Sequence, residues 1–289
     1  MALTTTEYGT ASNARLKAAR RLTKRAFRQR ERAFLAEGPQ AVSEALAMGA
    51  PVTDLFVTAP AQARHATLVA RAAGAGISVQ VVSGEVMTEL SGTVTPQGLL
   101  AVCGFIDVPL ATITTPGAGT APGLIAILAN VRDPGNAGTV LRAADAAGAD
   151  AVVFSDASVD PYNGKCVRAS AGSLFHLPVV ALPGEALPGE ALPGEALRLP
   201  QAIAELRASG LTVIAADGRS GRTLDDPGAR ELLRGPTAWL FGNEAWGLPP
   251  ELLDLADSAL AVPIYGKAES LNLATAAAVC LYASASARR

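Results

Sequence analysis

The stretch Leu124-Ile-Ala-Ile-Leu-Ala-Asn-Val-Arg-Asp-Pro-Gly-Asn-Ala-Gly-Thr-Val-Leu-Arg142 decides the fold of the second half of this chain. It opens with six apolar residues, passes through a turn over 130–138, and enters a helix that we predict over 139–147. A continuous apolar run followed by a helix is typical of a strand buried on both faces of a parallel α/β sheet. Because ligands bind beyond the carboxyl ends of such strands, the turn is a candidate site.

Strands and helices alternate on both sides of this stretch and form two α/β blocks. Strands are predicted over 33–37, 54–57, 77–82 and 98–106, and then over 124–129, 151–154, 177–180, 211–216, 237–241 and 259–262. Such alternation predicts mostly parallel sheets with helices on both faces. An uncharged segment rich in Thr, Pro and Gly over 109–123 is a predicted linker, so the predicted domains are 1–108 and 124–289. Three tandem copies of Ala-Leu-Pro-Gly-Glu over 181–195 are predicted to be a surface insertion without chemistry.

The composition excludes several classes of protein. Of 289 residues, 49% are hydrophobic and 17% are charged, a balance too apolar for a disordered chain. Cys103, Cys166 and Cys280 lie far apart and the chain has two His, so neither a Cys-x-x-Cys motif nor a His/Cys metal cage is expected. The first 21 residues lack an apolar signal-peptide core, and polar residues interrupt the longest apolar stretch, over 271–287. We therefore expect a soluble cytoplasmic protein that neither binds a metal nor enters a membrane.

Positive charge is concentrated in the first 32 residues. They contain nine Lys/Arg and two acidic residues, a local charge of +7, although the whole chain carries −2. Phosphate contacts supply most nonspecific nucleic-acid affinity, so this segment, predicted as a helix over 15–32, is a candidate nucleic-acid contact. A solvated helix face explains the charge equally well, and both interpretations stay open. The candidate residues are Arg15, Lys17, Arg20, Arg21, Lys24, Arg25 and Arg28.

Two further loops follow predicted strands and have unusual residue content. Leu240-Phe-Gly-Asn-Glu-Ala-Trp-Gly-Leu248 places an Asn-Glu pair between two glycines, although a plain Gly-rich turn is an alternative. Ile264-Tyr-Gly-Lys-Ala-Glu-Ser-Leu-Asn-Leu273 enters the last predicted helix, where Ser270 would serve as N-cap. Arg142 falls one turn inside the helix after the first loop, where it either points back to the same cleft or forms a surface ion pair. The first loop lacks the G-x-G-x-x-G fingerprint, which argues against a nicotinamide-dependent oxidoreductase.

The three loops together, in this order and at these strand ends, resemble the SpoU (TrmH-like) branch of the SPOUT RNA methyltransferases. The stretches similar to its motifs are 130–142, 240–248 and 270–277, with 160–172 between them. In the first block, 34–39 and 95–102 are similar to the L30e-like RNA-binding domain of the family. The resemblance therefore covers both blocks, and the repeat over 181–195 is a departure that touches no motif.

The resemblance implies methylation of a ribose 2′-hydroxyl of RNA with S-adenosylmethionine, carried out by a homodimer. It also implies a C-terminal SPOUT domain with a parallel sheet and a deep trefoil knot, preceded by the L30e-like α/β domain. The separate N-terminal domain is more similar to members that modify large-subunit (23S) rRNA, some of which confer antibiotic resistance, than to minimal members that modify tRNA. A tRNA methyltransferase and a noncatalytic RNA-binding protein are the alternatives.

The resemblance also implies roles for individual residues. Arg142 would contact the reacting hydroxyl and the adjacent phosphate, and either Arg142 or Glu244 would accept the proton. The residues that complete the catalytic set are Asn136, Glu244, Ser270 and Asn272. Those expected to bind the cofactor, mainly through the backbone, are Ala215, Ala216, Leu240, Gly242, Asn243, Gly247, Ile264, Leu271, Asn272 and Leu273. Lys165 and Arg168 join the basic residues as candidate RNA contacts, and Trp246 and Tyr265 either stack on a base or pack in the dimer interface.

Overall fold

The computed structural model describes residues 7–8, 14–115, 123–183 and 198–289, which form two compact units. The first unit comprises Met1–Ile106 and Tyr162–His176, and the second comprises Asp107–Pro161 and Leu177–Arg289. The segment Tyr162–His176, which we expected in the second domain, therefore belongs to the first unit. Most of the Ala-Leu-Pro-Gly-Glu repeat, and 116–122 of the predicted linker, lie outside the described residues.

Eleven strands and thirteen helices are formed by the residues that the structure describes. The strands are β1 (Glu7–Tyr8), β2 (Ala33–Glu37), β3 (Val52–Thr58), β4 (Ser78–Val82), β5 (Leu99–Gly104), β6 (Leu124–Leu128), β7 (Ala151–Phe154), β8 (Val179–Ala181), β9 (Thr212–Ala216), β10 (Thr237–Phe241) and β11 (Ser258–Leu260). The helices are α1 (Ala14–Arg21), α2 (Arg25–Glu31), α3 (Pro39–Ala47), α4 (Ala59–Arg64), α5 (Ala66–Gly74), α6 (Gly84–Ser91), α7 (Ala111–Thr114), α8 (Pro134–Ala147), α9 (Gly164–Ser170), α10 (Leu199–Ala208), α11 (Pro227–Arg234), α12 (Pro250–Leu253) and α13 (Leu273–Ala287).

The first unit contains a five-stranded sheet in the order β1-β4-β3-β5-β2. β1, β4 and β3 pair in parallel, whereas β5 inserts antiparallel between β3 and β2, so half of the strand pairings are antiparallel and the sheet is more mixed than predicted. One cluster of the core joins α1 and α6 to the sheet, with Leu16 and Met87 buried beside Phe56. Since burying a Leu side chain stabilises a fold by about 2 kcal/mol, α1 is part of the core rather than a free arm.

The basic segment predicted as one helix forms two short helices, α1 and α2. The chain turns at Leu22 and Thr23, whose carbonyl oxygens accept hydrogen bonds from Nη1 of Arg28 at 2.9 and 3.0 Å. Arg28 is only 4% exposed. Because a buried guanidinium must satisfy its N–H groups inside the protein, this arginine stabilises the break between the two helices.

The second unit contains six parallel strands in the order β11-β9-β10-β6-β7-β8, which confirms the predicted parallel sheet. β6 and β10 are buried throughout, as their apolar sequences predict. Phe241 at the end of β10 pairs with Leu128 of β6 on one side and with Ala216 of β9 on the other. The loops that follow these three strands therefore leave the same edge of the sheet at the same level.

Helices α8 and α13 pack against each other and against this sheet. α8 begins at Pro134, five residues earlier than predicted, because the Asp133 carboxylate caps the helix by accepting the N–H of Asn136 at 2.8 Å. On α13, Ser284 accepts the indole N–H of Trp239 from β10 at 2.9 Å. These contacts fix the two helices that follow the first and third loops.

The segment predicted as a linker is partly folded. Its described beginning forms α7, and Leu110 and Ile113 are buried in the core of the second unit. The backbone N–H of Val108 also bonds the carbonyl of Val179 at 2.9 Å. Apolar side chains in an otherwise linker-like composition explain why this part of the segment packs instead of running freely.

Two cysteine thiols are deeply buried. Burial raises the pKa of the Cys103 and Cys280 thiols to about 12, so neither acts as a nucleophile at neutral pH.

Within the described ranges, no helix combines the length and the apolar character needed to cross a membrane. The trefoil knot implied by the resemblance stays a prediction.

Candidate active site

Glu244, in the loop after β10, holds the loop after β6 by three hydrogen bonds. Its Oε1 accepts the backbone N–H of Asp133 at 3.1 Å and the side-chain amide of Asn136 at 3.2 Å. Its Oε2 accepts the backbone N–H of Arg132 at 3.3 Å. The first and second loops therefore meet at the carboxyl edge of the sheet, where a ligand site is expected. The backbone contribution of 132–133 was not predicted, because no side-chain pattern marks a backbone donor.

The pKa of the Glu244 carboxyl is lowered from its ordinary value. Partial burial by itself raises this pKa, but hydrogen bonds from the backbone N–H of Glu244, the amide of Asn136 and the N–H groups of Asp133 and Arg132 outweigh it. Hydrogen bonds to a carboxylate favour its charged form. Glu244 is therefore ionised at neutral pH and is a weak proton acceptor.

Asn136 also connects the first loop to the third. Its Oδ1 accepts a hydrogen bond from Nδ2 of Asn272 at 3.1 Å. Asn272 is the N-cap of α13, and its Oδ1 accepts the N–H groups of Ala274 and Thr275 at 2.9 and 3.3 Å. The expectation that Ser270 caps this helix is wrong, because α13 begins two residues later than predicted and Ser270 lies in an exposed loop. The structure thus brings Asn136, Glu244 and Asn272 together and leaves Ser270 outside their network.

A close backbone approach shapes the loop after β10. Asn243 and Gly247 exchange backbone hydrogen bonds of 2.8 and 3.0 Å, which closes the loop into a tight turn. A Cβ atom on Gly242 would lie 2.4 Å from the carbonyl carbon of Gly247, so a larger residue requires the backbone to move. Gly247 has a φ of +75°, in the left-handed region that favours glycine. Both glycines are therefore required by the turn that presents Glu244 to the first loop.

Buried polar groups support the first loop from the neighbouring strands. The side-chain amide of Asn243 donates to the carbonyl of Asn130 at 2.8 Å, and Asn130 adopts a left-handed φ of +60°. The hydroxyls of Ser155 and Ser158 accept the backbone N–H groups of Asn130 and Val131, each at 3.1 Å. Neither serine was predicted to contribute. The available signal was that β7, which precedes them, is the next strand after β6, and consecutive strands are commonly neighbours in a sheet.

Arg142 lies on α8 but outside the network of Asn136. Because the helix begins early, Arg142 is about two turns inside it, where one turn was predicted. It lies about 120° around the helix from Asn136, on an exposed stripe with Thr139 and Ala146. It forms no hydrogen bond or ion pair with any residue that the structure describes, so the surface ion pair considered above is not formed there. Its guanidinium is accessible to a ligand.

The residues expected to bind the cofactor surround the same edge of the sheet. Ala215 and Leu240 are buried in β9 and β10, close to the ends of these strands. The members that end a strand, lie in the connecting loop or begin α13 are Ala216, Gly242, Asn243, Gly247, Asn272 and Leu273. Ile264 and Leu271 are 39% and 37% exposed. Exposed apolar side chains beside a polar centre are typical of a small-molecule site.

Trp246 and Tyr265 are both exposed beside this edge. Trp246 is 54% exposed in the loop after β10. The hydroxyl of Tyr265 donates a hydrogen bond to Asp225, which raises the pKa of Tyr265. Base stacking and packing against a second copy both require this exposure, so both interpretations stay predictions.

Arg28 and Arg168 are placed for a structural role instead of the predicted RNA contact. Arg28 is buried against the turn between α1 and α2, as described above. Nη1 of Arg168 donates to the buried carboxylate of Glu37 at 2.9 Å and to the carbonyl of Ser91 at 3.3 Å. Leaving such a buried acceptor without its donor costs about 1–3 kcal/mol.

Most of the other basic candidates are accessible. Arg15 pairs with Asp54 at 3.0 Å in an ion pair that faces solvent, whereas Arg20, whose side chain is 22% exposed, pairs with Glu89 at 2.6 Å. An exposed ion pair contributes about 0–1 kcal/mol, so the ion pair of Arg15 adds little to the stability of the fold. The exposed members are Lys17, Arg21, Lys24, Arg25 and Lys165.

The centre at the sheet edge offers hydrogen-bond donors, a carboxylate and a neighbouring guanidinium. Across the described ranges, no group of three or more His, Cys, Asp or Glu side chains is placed to hold a metal ion. The donors, the carboxylate and the guanidinium can orient a substrate and stabilise charge that develops on it.

Two family models match the chain. The model of the SpoU rRNA Methylase family matches residues 123–282, which include all three loops. The model of the MRM3-like substrate binding domain matches residues 13–101, within the first unit. The second match lies wholly within the first unit, whereas the SpoU match covers most of the second unit and also includes Tyr162–His176 of the first.

Individual relatives and solved structures agree with these matches. The chain is 34% identical to the 23S rRNA (guanosine(2553)-2'-O)-methyltransferase RlmP of Bacillus subtilis, over 94% of this chain and 96% of that protein. The AdoMet-bound rRNA methyltransferase of Sinorhizobium meliloti is similar with a TM-score of 0.77 and 29% identity, and 97% of each chain is covered. The SpoU methyltransferase AviRb of Streptomyces viridochromogenes, in complex with AdoMet, gives a TM-score of 0.75 and 28% identity, over 96% of this chain and 98% of that one. By sequence and by fold, the chain belongs to the SpoU rRNA methylase family.

Proposed function

We propose that this protein methylates a ribose 2′-hydroxyl of large-subunit (23S) rRNA with S-adenosylmethionine as the methyl donor. The observation that carries the proposal is the convergence of Asn136, Glu244 and Asn272, one from each loop, in one hydrogen-bonded centre. The Bacillus subtilis relative, named for 2′-O-methylation of 23S rRNA, matches over nearly its whole length and supports the reaction and the substrate class. Acting on ribosomal RNA, the protein would work in the cytoplasm.

The residues at the sheet edge fit S-adenosylmethionine. When bound, this cofactor supplies a methyl group that its sulfonium makes electrophilic. Ile264 and Leu271 present exposed apolar side chains that would cover the faces of an adenine ring. Two solved structures similar to this chain contain AdoMet, which supports the same cofactor here.

Arg142 would stabilise the reacting hydroxyl. A sugar hydroxyl is a poor nucleophile at neutral pH, and negative charge develops on its oxygen as the proton leaves. The Arg142 guanidinium is exposed and has no partner in the described part of the chain, which supports donation to the ribose oxygen and the adjacent phosphate. Because a guanidinium does not release its proton near neutral pH, Arg142 would act by electrostatic stabilisation rather than as a base.

Glu244 would position the first loop rather than accept the proton. Its lowered pKa makes it a weak base, and donors from the first loop occupy both of its carboxylate oxygens. The proton of the ribose hydroxyl would then pass to solvent. Asn136 and Asn272 would hold the first and third loops in one arrangement through their mutual hydrogen bond.

The first unit would bind the RNA outside the reacting nucleotide. Its match to a substrate binding domain supports this role. Lys17, Arg21, Lys24 and Arg25 are exposed and lie close together in sequence, which favours contacts with successive phosphates. Such contacts position an RNA without reading its sequence.

A second copy of the chain would pack on the exposed face of α13. Val279 and Tyr282 are 39% and 49% exposed and are spaced three residues apart, so they share one face of the helix. The Tyr282 hydroxyl donates to the carbonyl of Ala146 at 3.3 Å, which makes this face continuous with the stripe of α8 that carries Arg142. A homodimer over this face would bury both side chains and bring the partner close to Arg142.

The oligomeric state tests this interface. We expect the wild type to be a dimer by analytical ultracentrifugation at micromolar concentration, and Val279→Glu/Tyr282→Glu to be a monomer. Val94→Glu is the matched control, because Val94 is also exposed but belongs to the first unit. A monomeric wild type, or a double variant that stays dimeric, would contradict the interface.

Transfer of labelled methyl from S-adenosylmethionine tests the proposed function. Transcripts of 23S rRNA and of tRNA are incubated separately with the full chain, and the labelled ribose is mapped. We expect label at one ribose of 23S rRNA. Label in tRNA alone would identify a tRNA enzyme, and binding without transfer to either RNA would identify a noncatalytic RNA-binding protein.

A further inference from the structure

The charged half of the proposed cofactor has no partner among the residues expected to bind it. At neutral pH the methionine moiety of S-adenosylmethionine carries a carboxylate, an ammonium and a sulfonium. Every residue in the cofactor set, from Ala215 to Leu273, is uncharged. A carboxylate that leaves water for a protein site needs hydrogen-bonded cations or several N–H donors. The loop after β9, at the same edge of the sheet, contains such a cation.

Arg219 lies three residues beyond the end of β9, against the glycine turn of the loop after β10. Its Nη2 lies 3.8 Å from the position that a Cβ atom on Gly247 would occupy. Gly247 is bonded through its backbone to Asn243, beside Glu244. β9 and β10 are adjacent parallel strands, so the guanidinium spans the gap between the two loops that follow them.

Asp217 contacts the inner edge of this arginine. Its Oδ1 accepts the backbone N–H of Arg219 at 3.1 Å and the side-chain Nε of Arg219 at 3.3 Å. The backbone N–H of Asp217 donates to the carbonyl of Leu260 at 3.1 Å, which ties the loop to β11. Asp217 therefore holds the inner edge of the guanidinium on a loop that is itself anchored to the sheet.

The outer edge of the guanidinium is available. Asp217 engages Nε, and neither Nη1 nor Nη2 has a hydrogen-bond partner among the residues that the structure describes. The Arg219 side chain is 69% exposed. Two parallel N–H donors on a fixed plane match the two oxygens of a carboxylate.

We infer that Arg219 binds the carboxylate of the methionine moiety of S-adenosylmethionine, an inference that rests on the proposed function. The guanidinium of Arg219 lies beside Gly247, a residue already expected to contact the cofactor. Glu244, three residues before Gly247, places a carboxylate at the same turn, and its charge is opposite in sign to that of Arg219. An RNA phosphate offers similar oxygens, so the experiment must separate the two anions.

Isothermal titration calorimetry of the full chain with three probes tests the inference. S-adenosylmethionine and S-adenosylhomocysteine both carry the carboxylate, so Arg219→Ala should weaken each by about tenfold. Decarboxylated S-adenosylmethionine lacks this group, so it should bind the wild type and Arg219→Ala equally. The affinity of Arg219→Lys for S-adenosylmethionine should lie between those of the wild type and Arg219→Ala, because lysine keeps the charge but loses the planar pair of donors.

Arg222→Ala is the matched control for these titrations. Arg222 lies on the same loop, but its guanidinium donates to Ser258 at 3.0 Å, so all three probes should bind this variant as they bind the wild type. Unchanged binding of S-adenosylmethionine by Arg219→Ala would overturn the inference, and so would equal weakening of all three probes. A 23S rRNA transcript is titrated in the same way. If Arg219→Ala weakens binding of the transcript but of none of the three probes, Arg219 contacts an RNA phosphate and the inference is overturned. Failure of the wild type to bind any probe would instead overturn the proposed function, and the inference with it.

Discussion

The basic segment of the first unit and the strand-end loops of the second unit use arginine in opposite ways. In the basic segment, Arg28 is buried and donates to two backbone carbonyls at the turn between α1 and α2. In the second unit, Arg142 is exposed and has no partner in the described ranges. Arg28 therefore stabilises the fold, whereas Arg142 presents its charge to a ligand.

This difference teaches that local charge density is a poor guide to function. The first 32 residues carry a charge of +7, yet Arg15 and Arg20 form ion pairs within their unit and Arg28 donates to backbone carbonyls. The stretch over 130–142 contains two arginines and one aspartate, and it forms the centre of the candidate site. What separates the two regions is the partner of each cation, which depends on tertiary contacts.

The largest expected effect comes from Arg142→Ala, which removes the exposed guanidinium proposed to act on the ribose hydroxyl. We expect the variant to fold and to bind S-adenosylmethionine normally, but to lose methyl transfer by about two or more orders of magnitude. Arg142→Lys should recover little, because a point charge cannot bridge a hydroxyl and a phosphate as a planar fork can. Single-turnover rates at saturating cofactor and RNA check this. Near wild-type turnover would make Arg142 an ordinary surface cation.

Glu244→Gln tests whether the carboxylate positions the first loop. The variant keeps the size of the side chain but weakens the acceptors for the N–H groups of Arg132 and Asp133, so we expect methyl transfer to fall by about tenfold. The pH profile of the remaining activity should keep its shape if Glu244 is not the base. Loss of an acidic limb from the profile would identify Glu244 as the proton acceptor.

The lowered pKa of Glu244 also predicts a pH dependence of stability. Because the pKa is lower in the folded state, ionisation of Glu244 stabilises the fold above the unfolded-state value of about 4.3. This stabilisation is lost as the pH falls through the folded-state pKa. Urea unfolding of Glu244→Gln should therefore depend less on pH across this acidic range than that of the wild type. If the free energy of unfolding depends on pH equally in the two proteins, the pKa of Glu244 is not lowered by folding.

Arg28→Met tests whether the buried arginine stabilises the fold. The substitution keeps an apolar stem but leaves the carbonyls of Leu22 and Thr23 without their donor. We expect the free energy of unfolding to fall by about 2 kcal/mol, with turnover of the folded protein changed by less than about twofold. Arg25→Met is the control, because Arg25 is exposed and should leave stability unchanged. If Arg28→Met is as stable as the wild type but binds RNA more weakly, Arg28 is an RNA contact and not a stabilising residue.

The smallest effect is expected from the exposed cations of the basic segment. Deleting this segment would remove Leu16 from the core, so charge substitution is the sharper test. Lys24→Ala/Arg25→Ala should reduce the slope of log affinity against log salt concentration by about one unit for each phosphate that the variant no longer neutralises. Arg64→Ala is the control, because Arg64 is also exposed but lies on α4, outside the basic segment. If the slope of the double variant is unchanged, Lys24 and Arg25 do not contact RNA phosphates and lie on a solvated helix face.

Strands were predicted more accurately than helix ends. β2, β7 and β10 begin and end at the residues that their apolar runs predict. The N-terminal ends of α8 and α13 were not predicted, because Asp, Asn and Ser are similarly good N-caps and the sequence offers several close together. Asp133 and Asn272 act as caps because their positions also let Asn136 bridge the two loops.

The members of the site were predicted from the three loops, but their contacts were not. The resemblance places Asn136 and Glu244 in one catalytic set, and in the structure their side chains share a hydrogen bond of 3.2 Å. The burial of Arg28, the support from Ser155 and the reach of Arg219 depend on which elements become neighbours. A local sequence pattern does not specify such partners.

A double-mutant cycle across the hydrogen bond between Asn136 and Asn272 tests most directly whether the three loops form one centre. Asn136→Ala removes the acceptor together with the amide that donates to Glu244, and Asn272→Ser removes the donor while keeping an N-cap for α13. The measurement is the single-turnover rate of methyl transfer for the wild type, both single variants and the double variant. We predict that each single variant is about tenfold slower and that the double variant is about as slow as the slower of the two, because they lose the same bond. Rate reductions that multiply to about a hundredfold would show two independent contributions and would contradict a shared centre.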